Sequence, residues 1–153
     1  MGAEQARRQG LLEMEIVMLH NAGDDHLFMG NMREAYYYFN ESLRRSRAAR
    51  FDRLTEANEM FTGFIEAAHF GAPAGLAALR TAIDTSRSRG RLWNLTQGHQ
   101  LLGRALLALG DVEGSVAQLS EAVRVGEQSG IRFFTDQARK WLVCAQNAAN
   151  RHG

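Results

Sequence analysis

Through residues 101–109, Leu101, Leu102, Ala105, Leu106 and Leu109 recur at spacings of one, three and four, the stripe of a helix with one buried face. Gly110 is placed to stop that helix and Asp111 to cap the next, its carboxylate accepting from free backbone N–H groups. Val112, Val116, Leu119, Ala122 and Val123 then mark one face of a second helix. Two amphipathic helices joined by so short a turn lie antiparallel. Neither stripe is fully covered by one partner, so the hairpin needs neighbours.

The neighbours appear when the chain is laid against itself at an offset of 40 residues. Gly23, Gly63 and Gly103 fall in register inside the first helix of each unit, and Ala35, Gly75 and Ser115 inside the second. Glycine inside a helix costs on the order of 1 kcal/mol relative to alanine, so its recurrence at one phase predicts close contact between the two helices. Phe39, Leu79 and Leu119, then Leu43, Ile83 and Val123, repeat as apolar knobs, with Ser42, Ala82 and Ala122 as small spacers. The pattern predicts helices over residues 11–29 and 32–49, 52–70 and 73–89, a third hairpin over 92–129, and a final helix over 131–150. That last helix would cover the array through Phe134, Ala138, Trp141, Leu142 and Ala145. Residues 1–10 align with the ends of later second helices and read as the tail of a preceding helix or a short cap. Pro73 suits the first turn of a helix, Asn31 and Glu34 have capping-box spacing, and Gly71 implies a turn one residue longer than its counterparts.

With Leu102, Gly103 and Leu106 in the first helix and Ser115, Leu119 and Ala122 in the second, the chain resembles a tetratricopeptide-type array. Unit one offers Ala22, Gly23, His26, Ala35, Phe39 and Ser42, and unit two Thr62, Gly63, Gly75, Leu79 and Ala82. The departures are Leu19, Glu59 and His99 at the first aromatic, no closing proline, and a repeat longer than the family's about 34 residues. HEAT or armadillo repeats share the longer period and are the rival fold. The resemblance implies an all-α, right-handed superhelical solenoid of three hairpins and a terminal helix, forming one domain over 1–153. It further implies a non-catalytic interaction scaffold, of the kind found beside bacterial signalling or transcription-regulatory domains, with a peptide or protein segment in a concave groove lined by the first helices. Carried over by repeat position, that groove holds His20 and Asp24, Met60 and Phe64, Gln100 and Arg104, and Lys140. The lysines and asparagines of the family's chaperone-tail clamp are absent from these positions. An apolar floor at Met60 and Phe64 beside Arg104 would suit an apolar anchor next to an acidic group.

Composition narrows the alternatives. A hydrophobic content of 45% in 153 residues supports a buried core, and a net charge of +1 gives no overall attraction to polyanions. Cys144 stands alone, so a reducing, cytoplasmic setting is expected and no internal disulfide can form. No apolar run is long enough for a membrane span or a signal peptide. Neither a phosphate-binding glycine loop nor a nucleophile motif is present, which argues against an enzyme and calls for no cofactor. His20, Asp24, Asp25 and His26 crowd one helix, but only His20 and Asp24 share a face, so a polar groove patch is expected and not a metal site. Arg7, Arg8, Arg44, Arg45, Arg47, Arg50, Arg87, Arg89 and Arg91 gather at second-helix ends. Cations favour helix C-termini in any case, and without interleaved aromatics this ridge points away from nucleic acid. The run Tyr36, Tyr37, Tyr38 and Phe39 can place at most two rings in a core. A ligand-sensing array, and self-assembly into a homo-oligomer through uncapped ends, are the alternative readings.

Overall fold

A computed structural model of the chain describes residues 2–152, and Met1 and Gly153 lie outside it. Among the described residues the fold is all-α: α1 (Ala3–Phe28), α2 (Met32–Ala48), α3 (Asp52–Ala68), α4 (Pro73–Ser88), α5 (Leu92–Ala108), α6 (Val112–Ser129) and α7 (Arg132–His152), with no strand. α1 pairs with α2, α3 with α4 and α5 with α6, while α7 lies on α6 and α5. Each second helix also packs on the first helix that follows it, and neighbouring odd-numbered helices touch. The result is a repeat-like helical bundle.

The glycine phase marks where hairpin partners meet. A Cβ on Gly63 would come within 2.6 Å of the Gly75 carbonyl oxygen, so α3 and α4 cross backbone to backbone. In the third hairpin Ser115 Oγ donates to the Gly103 carbonyl at 2.7 Å, with Leu119 over the glycine. The first hairpin differs: the Phe39 ring, at 2.9 Å from such a Cβ, fills the space beside Gly23. Phe39 then stacks on Phe61 of α3, with centroids 4.5 Å apart, and carries the core into the next hairpin. Beside it a polar chain ties three helices together. His20 Nδ1 lies 2.8 Å from Asn58 Oδ1, Asn58 Nδ2 donates to Ser42 Oγ at 2.8 Å, and Ser42 donates to the Ile16 carbonyl at 2.9 Å. The buried Asn58 and Ser42 side chains are thus hydrogen-bonded to one another and to their neighbours.

The turns follow the expected chemistry with two corrections. Asp111 Oδ1 accepts from the Gly114 amide at 2.9 Å, Pro73 opens α4, and the α3–α4 connection is one residue longer than the α1–α2 and α5–α6 turns. Asn31 makes no side-chain cap and instead lies 3.3 Å from the His26 ring, so the expected capping box is not formed. The expected break at Gly10 is also absent: α1 runs from Ala3 through Gly10 without interruption. Its first turns are rich in Ala, Glu, Gln and Arg, all good helix formers, and one glycine costs too little to end the helix. Gly90 and Gly130 take positive φ after second helices, and at the same repeat position Arg50 is held at φ 55°. Phe134, Ala138 and Ala145 bury as expected, with Trp141 and Leu142 half-buried. No helix among the described residues is long and apolar enough to cross a membrane.

Candidate functional site

The first helices and α7 enclose a cleft of about 360 Å³. α1 contributes Asp24, Leu27 and Phe28, α3 contributes Phe61, α5 contributes Gln97, Gln100 and Arg104, and α7 contributes Phe133, Phe134, Gln137, Lys140 and Trp141. These faces meet because α5 touches α7 directly and α1 lies against α3, leaving a trough between the outer two helices. Gln100 is buried and donates from Nε2 to Gln137 Oε1 at 3.0 Å, fixing α7 against α5.

Arg104 is the chemical centre of the cleft. Its guanidinium lies between two rings, 4.8 Å from the Phe64 centroid and 4.7 Å from the Trp141 centroid. Ring faces attract a cation, and more so where water is excluded. Its Nε is buried and has no hydrogen-bond partner. Burial lowers the Arg104 pKa to about 10, against the opposing influence of the Asp24 carboxylate, so the group stays charged at neutral pH. Across the cleft, loss of water pushes the Asp24 carboxyl upward, while His20 and Arg104 hold it down and Asp25 adds to the rise. The cleft thus holds a desolvated cation with unused donor capacity. Its mouth is flanked by Phe28, 91% exposed, and Phe133, 63% exposed.

Of the groove residues expected from sequence, Asp24, Gln100, Arg104 and Lys140 line this one cleft. His20 lines an adjoining depression with Asp24 and Asn94. Its ring stands edge-on to Phe39 and Phe61, each at 5.3 Å, and burial lowers its pKa against the hydrogen bond it donates to Asn58 Oδ1. Met60 and Phe64 do not form an open floor. Met60 is 1% exposed, its thioether beside Gly98, and Phe64 lies under Arg104. Because α3 is the middle helix, α5 covers both, through Gly98 at Met60 and Arg104 at Phe64. The apolar surface of the cleft comes from Phe28, Phe61, Phe133, Phe134 and Trp141 instead. Projection of the same two repeat positions onto every helix misses the first-turn aromatics of α7 and the last residue of α1.

The remaining candidates are occupied elsewhere. Among the described residues no three His, Cys, Asp or Glu side chains converge as metal ligands would; His26 stacks on Tyr38 at 5.3 Å. Tyr36 donates to Glu66 Oε1 at 2.7 Å, and Tyr37 is exposed. Cys144 is exposed. Much of the arginine ridge is paired: Arg7 and Arg8 with Glu4, Arg44 with Glu41, Arg45 with Glu15 and Glu41, and Arg87 with Asp84. Buried Glu56 gathers Arg89 at 2.8 Å, Arg91 at 3.0 Å and the Ser86 hydroxyl at 2.9 Å. These arginines join the α4–α5 corner to α3 and present little free charge to a polyanion.

No family, curated protein or solved structure matches the chain.

Proposed function

We propose that the chain is a non-catalytic protein-interaction module, a tetratricopeptide-like superhelical solenoid of three hairpins and a terminal helix. Its α1–α5–α7 cleft takes a peptide or helical segment carrying an apolar anchor next to a carboxylate. The observation that carries this reading is Arg104, clamped between Phe64 and Trp141 with a buried, unpartnered Nε beside an apolar cleft. A carboxylate entering the cleft would reach the terminal N–H groups of that guanidinium, in a site where charge-assisted hydrogen bonds are strong. Phe28 and Phe133 at the mouth would close on an apolar side chain. Lys140 at the rim adds a second cation for an acidic segment.

Selection of a random-peptide display library on the full chain tests the reading. Enriched peptides should pair an aromatic or branched apolar residue with Asp or Glu. Arg104→Glu should weaken them at least about tenfold, because it turns an attraction into a repulsion inside the cleft. Enriched peptides without an acidic residue, or equal binding to Arg104→Glu, would contradict it. A second reading, a small-ligand sensor, has the cleft volume in its favour, since about 300–1,000 Å³ is the usual range of ligand pockets. It predicts that small aromatic carboxylates raise the melting temperature of the wild-type chain and leave that of Arg104→Glu unchanged.

A further inference from the structure

α1 carries an apolar stripe that nothing among the described residues covers. Leu11, Met14 and Met18 are 54, 58 and 63% exposed and border a shallow apolar depression on the outer side of the helix. At the repeat offset, Met14 is level with Leu54, Asn94 and Phe134, and Met18 with Asn58, Gly98 and Ala138. All six of those residues are buried. The preceding second helix lies on that side of each later first helix: Asn58 bonds to Ser42 of α2, and a Cβ on Gly98 would touch Ile83 of α4.

The stripe is not simply the landing face for one more hairpin of the same kind. Farther along it, α3 places Phe61 and Ile65, and α5 places Leu101 and Ala105, all buried. α1 places Asn21 and Asp25 there, both exposed. An apolar second helix seated on the stripe would strip water from Asp25 without offering it a partner, which is costly. The occupant must therefore bring apolar side chains to Met14 and Met18 and a cation to Asp25.

α1 itself meets both demands. Its first turns are exposed on nearly every side. At about 100° per residue, Arg7, Met14, Met18 and Asp25 fall within about 40° of one another around the helix. Seven residues separate Arg7 from Met14 and seven separate Met18 from Asp25, so the stripe reads the same in both directions. Two α1 helices laid antiparallel, with Met14 against the partner's Met18, bring Arg7 to the partner's Asp25 at both ends. Methionine adapts well to such a self-complementary seam. In one chain Arg7 pairs with exposed Glu4, an i,i+3 ion pair at 3.0 Å that contributes little and is easily exchanged.

We propose that the uncovered stripe of α1 is the interface of a two-fold homodimer, with Met14 and Met18 at its centre and an Arg7–Asp25 ion pair at each end. A two-fold contact of this kind closes, so assembly stops at two copies. Sedimentation velocity of the full chain at low salt, from low micromolar to several hundred micromolar, is expected to show a monomer–dimer equilibrium. Met18→Glu should abolish the dimer with an unchanged far-ultraviolet circular dichroism spectrum. Arg7→Asp and Asp25→Arg should each weaken it about tenfold, since two symmetric attractions become repulsions. Arg7→Asp combined with Asp25→Arg should restore it, and Arg104→Glu should leave it unchanged. A monomer throughout, oligomers that grow past two, a dimer indifferent to Met18→Glu, or a charge swap that fails to restore association would each overturn the proposal.

Discussion

Gly63 and Gly10 both lie inside helices, yet they answer to different physics. A methyl group on Gly63 would meet the Gly75 carbonyl oxygen at 2.6 Å and the Leu79 amide nitrogen at 3.1 Å, both of them backbone atoms that cannot turn aside. Overpacking there should cost about 2 kcal/mol, more than the about 1 kcal/mol that alanine gains in helix propensity. At Gly10 nothing lies within 4 Å. Urea unfolding should therefore place Gly63→Ala below the wild type, and Gly10→Ala level with it or up to about 1 kcal/mol above. A Gly63→Ala variant as stable as the wild type would contradict the backbone crossing of α3 and α4. The phase of Gly23, Gly63 and Gly103 was legible in the sequence because helix-interior glycine carries a cost and recurs. What fills each gap was not, since the Phe39 ring at Gly23 and the Gly75 backbone at Gly63 answer the same signal with different volumes. The same holds for Arg50, whose place in the register of Gly90 and Gly130 is visible in the sequence while its positive φ is not.

At the scale of the helices, the hairpins were legible because apolar stripes, Asp111 and Pro73 all point the same way. The start of α1 was not, because Gly10 mimics the glycines that end later helices while its neighbours favour helix. Nor was the polar seam of His20, Asn58 and Ser42, which depends on three helices meeting at one point. That seam gives the array a pH dependence. Burial lowers the pKa of His20 against its bond to Asn58, and that of His99 against its bond to Gln118. Their folded values lie below the unfolded value of about 6.5, so the unfolded chain binds more protons. Stability present above that value is lost as pH falls below it. Asp24 and Glu59, raised by burial, act in the opposite sense at lower pH. The melting temperature should fall between pH 7 and pH 5, and His20→Gln should make that slope shallower. An unchanged slope in the variant would remove His20 from this account.

Over the whole molecule, the sequence placed Gln100 and Lys140 at one repeat position and Asp24 and Arg104 at another, four residues along, and the structure brings all four to one cleft. It could not show that the middle helix is covered from both sides, so Met60 and Phe64 are interior supports and not a floor. It also could not show that Phe28 and Phe133, far apart in the chain, face the same opening. The most direct test of the central claim is an NMR titration of the isotope-labelled full chain with an acidic peptide from the display selection. The account predicts the largest shifts at Gln97, Gln100, Gln137, Lys140 and Trp141, with the Arg104 Nε–H signal moving as its guanidinium gains an acceptor. Shifts gathered instead on the arginines of the outer edge, Arg44 and Arg87, with Arg104 Nε–H unmoved, would contradict it.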